Sequence, residues 1–100
     1  MSTAMSSAAN GQTTRDLLDL VRAIPSAHVA THRQIAAALT IPPRQIVTLL
    51  QSLDDTQRAN VPWWRVVADG GAIGRHPHRE DQIDRLRQEG LTISPVGILQ

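Results

Sequence analysis

The chain of 100 residues contains no cysteine, lysine, phenylalanine or tyrosine. Each absence removes something. Without cysteine there are no disulfides, no thiolate metal ligands and no sulfur nucleophile. The four histidines do not compensate: His76 and His78 are close, but they lie in a proline-containing stretch with no further ligand pattern around them. No metal and no cofactor are therefore expected. Nothing in the chain has the form of a glycine-rich loop that cradles phosphate. No run approaches the ~20 apolar residues that a membrane-spanning helix needs. The opening MSTAMSSAANGQTT lacks the basic start and apolar run of a signal peptide. A cytoplasmic chain with no membrane partner is expected.

What is present is organised. Apolar residues make up 41% of the chain, enough for a core in one small domain. Net charge is only +1, yet its distribution is uneven. From His28 to Arg79 six arginines face Asp54, Asp55 and Asp69, and the acids Glu80, Asp81, Asp84 and Glu89 follow. A basic middle with an acidic end is compatible with nucleic-acid binding. The whole aromatic complement is one dipeptide, Trp63-Trp64, inside VPWWRVV.

Residues 1–14, rich in Ser, Thr and Ala and nearly uncharged, read as a disordered tail, with the folded domain over 15–100. Leu17, Leu18, Val21 and Ile24 predict a first helix from Arg15 that stops at Pro25. AHVAT reads as an extended link. Thr31 and Gln34 form a capping-box pattern for a helix through Ile35, Ala36 and Leu39. Pro43 suits a first helical position, and Ile46, Leu49, Leu50 and Leu53 give the stripe of another helix. A short helix, a tight turn and a longer helix make a helix-turn-helix outline, with Arg44 and Gln45 at the end that would meet DNA. LDDTQRANVP reads as a polar loop, and RVVADGGAIG as a small hairpin turning at Gly70-Gly71. Residues 79–89 predict a charged helix with Ile83 and Leu86 inward and Gly90 as its cap, followed by an extended end. The expected class is α+β, mainly helical: a winged helix-turn-helix domain with a small β-hairpin.

These residues carry a resemblance. Pro62-Trp63-Trp64-Arg65-Val66 is similar to the Pro-Cys-His-Arg-Val active site of the O6-alkylguanine-DNA alkyltransferases. It resembles more closely the alkyltransferase-like proteins, where Trp commonly replaces that cysteine. IPSAHVATHRQIAAAL, VVADGGAIG and DRLRQEGLTI extend the similarity over residues 17–94. The resemblance implies binding without chemistry, because alkyl transfer needs a thiolate and an indole offers only an N–H donor. It implies a damaged base flipped from the duplex into a pocket beside Trp63. Arg44 would fill the vacated stack; Thr31, His32 and Arg33 would hold phosphate. Pro62, Trp63, Trp64, Arg65, Val66, Val67, Arg75 and His76 would form the pocket, with Trp63 as wall, Trp64 on the core side and Arg65 architectural. Backbone carbonyls of Val66 and Val67 would meet the base edge, and either Arg75 or His76 would sense the lesion. Glu89, the family's relay acid, would be structural here. The implied partners are double-stranded DNA carrying O6-alkylguanine and nucleotide excision repair proteins, bound by a monomer on a bacterial nucleoid. Two departures stand out: the family's Thr-Tyr-Gly is Thr31-His32-Arg33, and its relay His is Trp64. Two other functions fit the same residues. One is a winged-helix regulator that reads sequence rather than damage; the other is a degenerate relative that serves as a protein-interaction module.

Overall fold

The computed structural model describes residues 2–100, with side chains from residue 11 onward. Helix α1 spans Ser2–Arg22. It thus starts well ahead of Arg15, and the segment expected as a disordered tail is helical from Ser2. The buried face begins only at Leu17, with Leu18 and Val21. Ahead of it the run holds no proline, so a helix nucleated by the packed face can extend backward, although Asn10, Gly11, Thr13 and Thr14 are poor helix formers.

Strand β1 (Ala30–Thr31) leads directly into α2 (His32–Leu39). The Thr31 hydroxyl accepts from Gln34 N at 3.0 Å, and Gln34 Oε1 accepts from Thr31 N at 2.9 Å, the reciprocal box read from the sequence. Thr40 ends α2 in the left-handed region at φ 59°, an uncommon setting for a β-branched residue. Helix α3 (Pro43–Gln51) starts with proline at its first position, where the missing N–H has no partner to lose. Ile46 is fully buried on its inner face; Leu53, counted with that stripe, lies past the helix end yet is buried in the same cluster.

The segment expected as a polar loop contains a helix, α4 (Asp55–Asn60). Asp54 caps it: its carboxylate accepts from Gln57 N at 2.8 Å, and Gln57 Oε1 accepts from Asp54 N at 3.0 Å. The expected hairpin after Arg65 does not form either. Strand β2 (Val66–Val67) pairs in parallel with β1, Ala30 beside Val66 and Thr31 beside Val67. Gly70 and Gly71 instead make a tight 3-10 turn, both at positive φ. The wing comes from the C-terminal residues, where antiparallel bridges join Ile93 to Leu99 and Ala72 to Ile98. Helix α5 (Arg79–Gln88) closes the element order, and Gly90 follows it at φ 94°. The molecule is mainly helical with one two-stranded sheet, a winged helix-turn-helix arrangement.

Two apolar clusters fill it. One gathers α1, α2 and Ile46 with Leu53, Val61 and Val66; the other gathers Val67, Ile73, Ile83, Leu86 and Ile93. Neighbouring residues of a strand face opposite ways, so β2 gives one valine to each cluster. The tryptophans repeat this: Trp63 packs on the first cluster, Trp64 on the second.

Candidate nucleic-acid interface and cavity

Residues Trp63–Arg65 form a single 3-10 turn ahead of β2, and that turn sends its three side chains to different places. Trp64 Nε1 donates to Glu89 Oε2 at 3.0 Å. Arg65 Nη2 donates to the same oxygen at 2.6 Å, its Nε lies 3.1 Å from both carboxylate oxygens, and Nη1 donates to Ile24 O at 2.8 Å. Ala27 N completes the set on Glu89 Oε1 at 3.1 Å. Both charged side chains are largely covered, at 16% and 12% exposure. Hydrogen bonds from Arg65 above all, then from Trp64 Nε1 and Ala27 N, hold the Glu89 carboxyl at about 2 against the opposing effect of burial. This hub ties the end of α1, the 3-10 turn and the end of α5 together, the structural part expected for Arg65 and Glu89.

Trp63 turns the other way, onto a cavity of about 740 Å³. Its ring meets Trp64 edge-on at 6.0 Å between centroids, and His76 and His78 at 6.3 and 5.9 Å. Gln82, buried on the inner face of α5, fixes this wall. Its Nε2 donates to Trp64 O at 3.1 Å and to Val66 O at 2.9 Å, and its Oε1 accepts from His76 Nε2 at 2.7 Å. The backbone N–H of His78 donates to His76 Nδ1 at 3.1 Å. With Nδ1 accepting the His78 N–H, it is Nε2 that donates to Gln82 Oε1.

Of the expected pocket residues, Trp63, Val66, Val67, Arg75 and His76 line the cavity. Pro62, Trp64 and Arg65 do not: the last two are drawn to Glu89 on the far side of the turn. The Val66 carbonyl accepts from Gln82 Nε2. The structure adds Val47 and Leu50 from α3, Arg58 from α4, and Pro77, His78 and Gln82. Gln82 had one sequence signal, a polar residue beside Ile83 on the apolar face of a helix. Arg58 was hidden by the reading of its segment as a loop.

A shallower groove of about 340 Å³ adjoins the cavity, lined by His32, Arg33, Pro43, Arg44, Val47, Ala68 and Asp69. His32, Val47 and Ala68 belong to both hollows. Burial lowers the His32 pKa, opposed by the nearby Asp69 carboxylate and reinforced by His76. Arg33 Nε lies 2.9 Å from Asp69 Oδ2, an exposed pair worth little by itself. Arg44 is exposed at the start of α3 and takes part in no ion pair among the described residues. Thr31 is engaged in its capping box and lies outside both hollows, as does Gln45, half-buried on α3.

A helix-turn-helix pair whose second helix opens on an aromatic recess defines a class of winged domain with a chamber behind its reading helix. Residues 12–91 match the family described as 6-O-methylguanine DNA methyltransferase, DNA binding domain, and the chain belongs to that family. Among solved structures it is similar to S. pombe Atl1 in complex with damaged DNA containing O6-carboxymethylguanine, with TM-score 0.75 and 27% identity over 90% of this chain and 88% of that one. It is also similar to S. pombe ATL in complex with DNA, with TM-score 0.73 and 26% identity over the same shares. No protein of curated function matches the chain.

Proposed function

We propose that this chain is a non-enzymatic sensor of O6-alkylguanine in duplex DNA. What carries this reading is that Trp63, which the resemblance aligns with the acceptor cysteine of the family's alkyltransferases, walls a cavity of about 740 Å³ in a chain with no cysteine. Damaged DNA in the S. pombe Atl1 structure, and DNA in a second S. pombe complex, support it. The α3 N-terminus approaches the major groove, and Arg44 enters the base stack as the lesion nucleotide turns out. The flipped base rests against Trp63 and the His76–His78 wall. Stacking on an aromatic ring is worth ~1–3 kcal/mol per base, comparable to the few kcal/mol that flipping costs. No atom of the wall attacks the alkyl carbon, so the complex persists as a marker. Nucleotide excision repair proteins are the proposed readers of that marker, and the bacterial nucleoid within the cytoplasm the proposed location of the monomeric sensor.

The test is a titration of matched duplexes, one with a single O6-methylguanine and one unmodified, at fixed salt because phosphate contacts make affinity salt-dependent. Tryptophan emission is the signal. Preference for the lesion with quenching is expected. Equal binding with no quenching would assign a general winged-helix DNA binder, and no binding a protein-interaction module.

A further inference from the structure

The cavity has an unusual balance of charge. Two arginines, Arg58 and Arg75, line it together with His32, His76 and His78, and no aspartate or glutamate does; burial lowers the His32 pKa, so the fixed positive charge is that of the arginines. Asp69 belongs to the neighbouring groove and is engaged by Arg33, and Asp54 and Asp55, one turn before Arg58, lie at the cap and first turn of α4 and form no ion pair with it among the described residues. Arg58 is the cation best placed to matter. It is half-buried on the short helix α4, and its Nη2 donates to Leu53 O at 2.8 Å, which anchors the guanidinium against the wall. That bond engages one of the five N–H donors of the fork. No carboxylate lies within ion-pair reach of Arg58 or Arg75 among the described residues. The rest of the wall is apolar, with Trp63, Val66, Val67 and Pro77. A cation held against an apolar wall acts in a lower dielectric than a solvated one, so it strengthens an ion pair with whatever anion enters.

We infer that Arg58 is a specificity-determining residue and that the cavity favours guanine adducts whose O6 substituent carries a negative charge, such as a carboxyalkyl group, over neutral ones of the same size. The inference rests on the reading of the cavity as a lesion pocket and names the chemistry it prefers. A guanidinium fork receives a carboxylate through two parallel N–H···O bonds, whereas a neutral amide presents a single acceptor oxygen and an NH₂ group that competes for the same space. The alternative use of Arg58, a contact to DNA phosphate, would strengthen binding of every duplex alike.

The experiment compares three duplexes at fixed salt: O6-carboxymethylguanine, its neutral isostere O6-carbamoylmethylguanine, and guanine. The wild-type chain is expected to bind the carboxymethyl duplex roughly tenfold more tightly than the carbamoylmethyl one, the scale of one charge-assisted hydrogen-bonded pair. R58Q is expected to abolish that ratio by weakening binding of the carboxymethyl duplex more than that of the carbamoylmethyl and guanine duplexes; R58K, which keeps the charge without the fork, is expected to retain part of it. Equal wild-type binding of the two adducts, both tighter than guanine, would overturn the charge preference and leave the sensor reading intact. A uniform loss on all three duplexes in R58Q would make Arg58 a phosphate contact and overturn its assignment. Failure of both adducts to exceed guanine would overturn the sensor reading itself, and this inference with it. The wild-type ratio alone decides the charge preference should R58Q fail to fold.

Discussion

At the scale of single residues, Glu89 is held in a hydrogen-bonded hub. Its carboxylate receives Trp64 Nε1, three contacts from the Arg65 guanidinium and the Ala27 N–H, and nothing in the arrangement presents it to the cavity. E89Q keeps the shape but leaves the Arg65 guanidinium largely covered and without its counter-charge. A loss of roughly 2–3 kcal/mol in urea unfolding is expected. The same hub sets an acid limit. Glu89 is held at about 2 in the folded chain, below its ordinary value of 4.5, so the unfolded chain binds the proton more readily. Its contribution is complete above about 4.5 and declines as pH falls towards about 2. Stability measured across that window is expected to fall with acidification more steeply in the wild-type chain than in E89Q. An architectural Arg65 and a structural Glu89 were each legible through the family resemblance, but not that the two pair with one another. The separate destinations of Trp63 and Trp64 were legible in part: one as wall, one inward. Gln82 was not, because a lone glutamine in a charged helix gives no sign of the two carbonyls and the histidine it joins.

At the scale of elements, local signals were read well where they were self-contained. The Thr31–Gln34 box, Pro43 at the first turn of α3, and Gly90 after α5 all stand where the sequence puts them. The Asp54–Gln57 box is of the same kind, but the surrounding residues lack the apolar stripe that marks a helix in sequence; α4 has no buried residue at all. That helix is therefore held mainly by its cap and its chain connections. D54A is expected to cost about 1 kcal/mol by removing the cap. It should also weaken binding of carboxymethylated more than carbamoylmethylated DNA, since α4 carries Arg58; a melting curve and the two-adduct ratio check both. The hairpin after Arg65 failed as an expectation for a different reason. Gly70-Gly71 signalled a turn correctly, but the partner of Val66-Val67 lies far upstream in Ala30-Thr31, and parallel pairing leaves no local trace.

At the scale of the molecule, the 3-10 turn and β2 join two apolar clusters, and the cavity opens beside that junction. The arrangement bears on whether chemistry can be returned to the fold. W63C alone is expected to show no stoichiometric methyl transfer from an O6-methylguanine duplex, because residue 64 is an indole whose only polar atom donates to Glu89. W63C/W64H places an imidazole where Glu89 already accepts an N–H, leaving its second nitrogen to take the thiol proton. The double variant is expected to transfer label to the protein where the single one does not. Rapid transfer by W63C alone would show that His76 or His78 acts as base instead. R44A is expected to weaken lesion binding by on the order of 1–3 kcal/mol with little change in the melting curve, as its exposed guanidinium takes part in no ion pair among the described residues. The helix-turn-helix outline, and the position of Arg44 in it, were legible from periodicity and proline placement. The cavity was not, since it is made by elements brought together from separate parts of the chain.

The edge-on Trp63–Trp64 pair, with ring centres 6.0 Å apart, also has an optical consequence. At that separation excitation absorbed by either indole passes readily between them, so the two emit as one coupled source. A base resting on Trp63, as proposed, would therefore quench light gathered by Trp64 as well. Occupancy of the cavity and cohesion of the Glu89 hub are thus written into a single emission band, and replacing either tryptophan separates the two records.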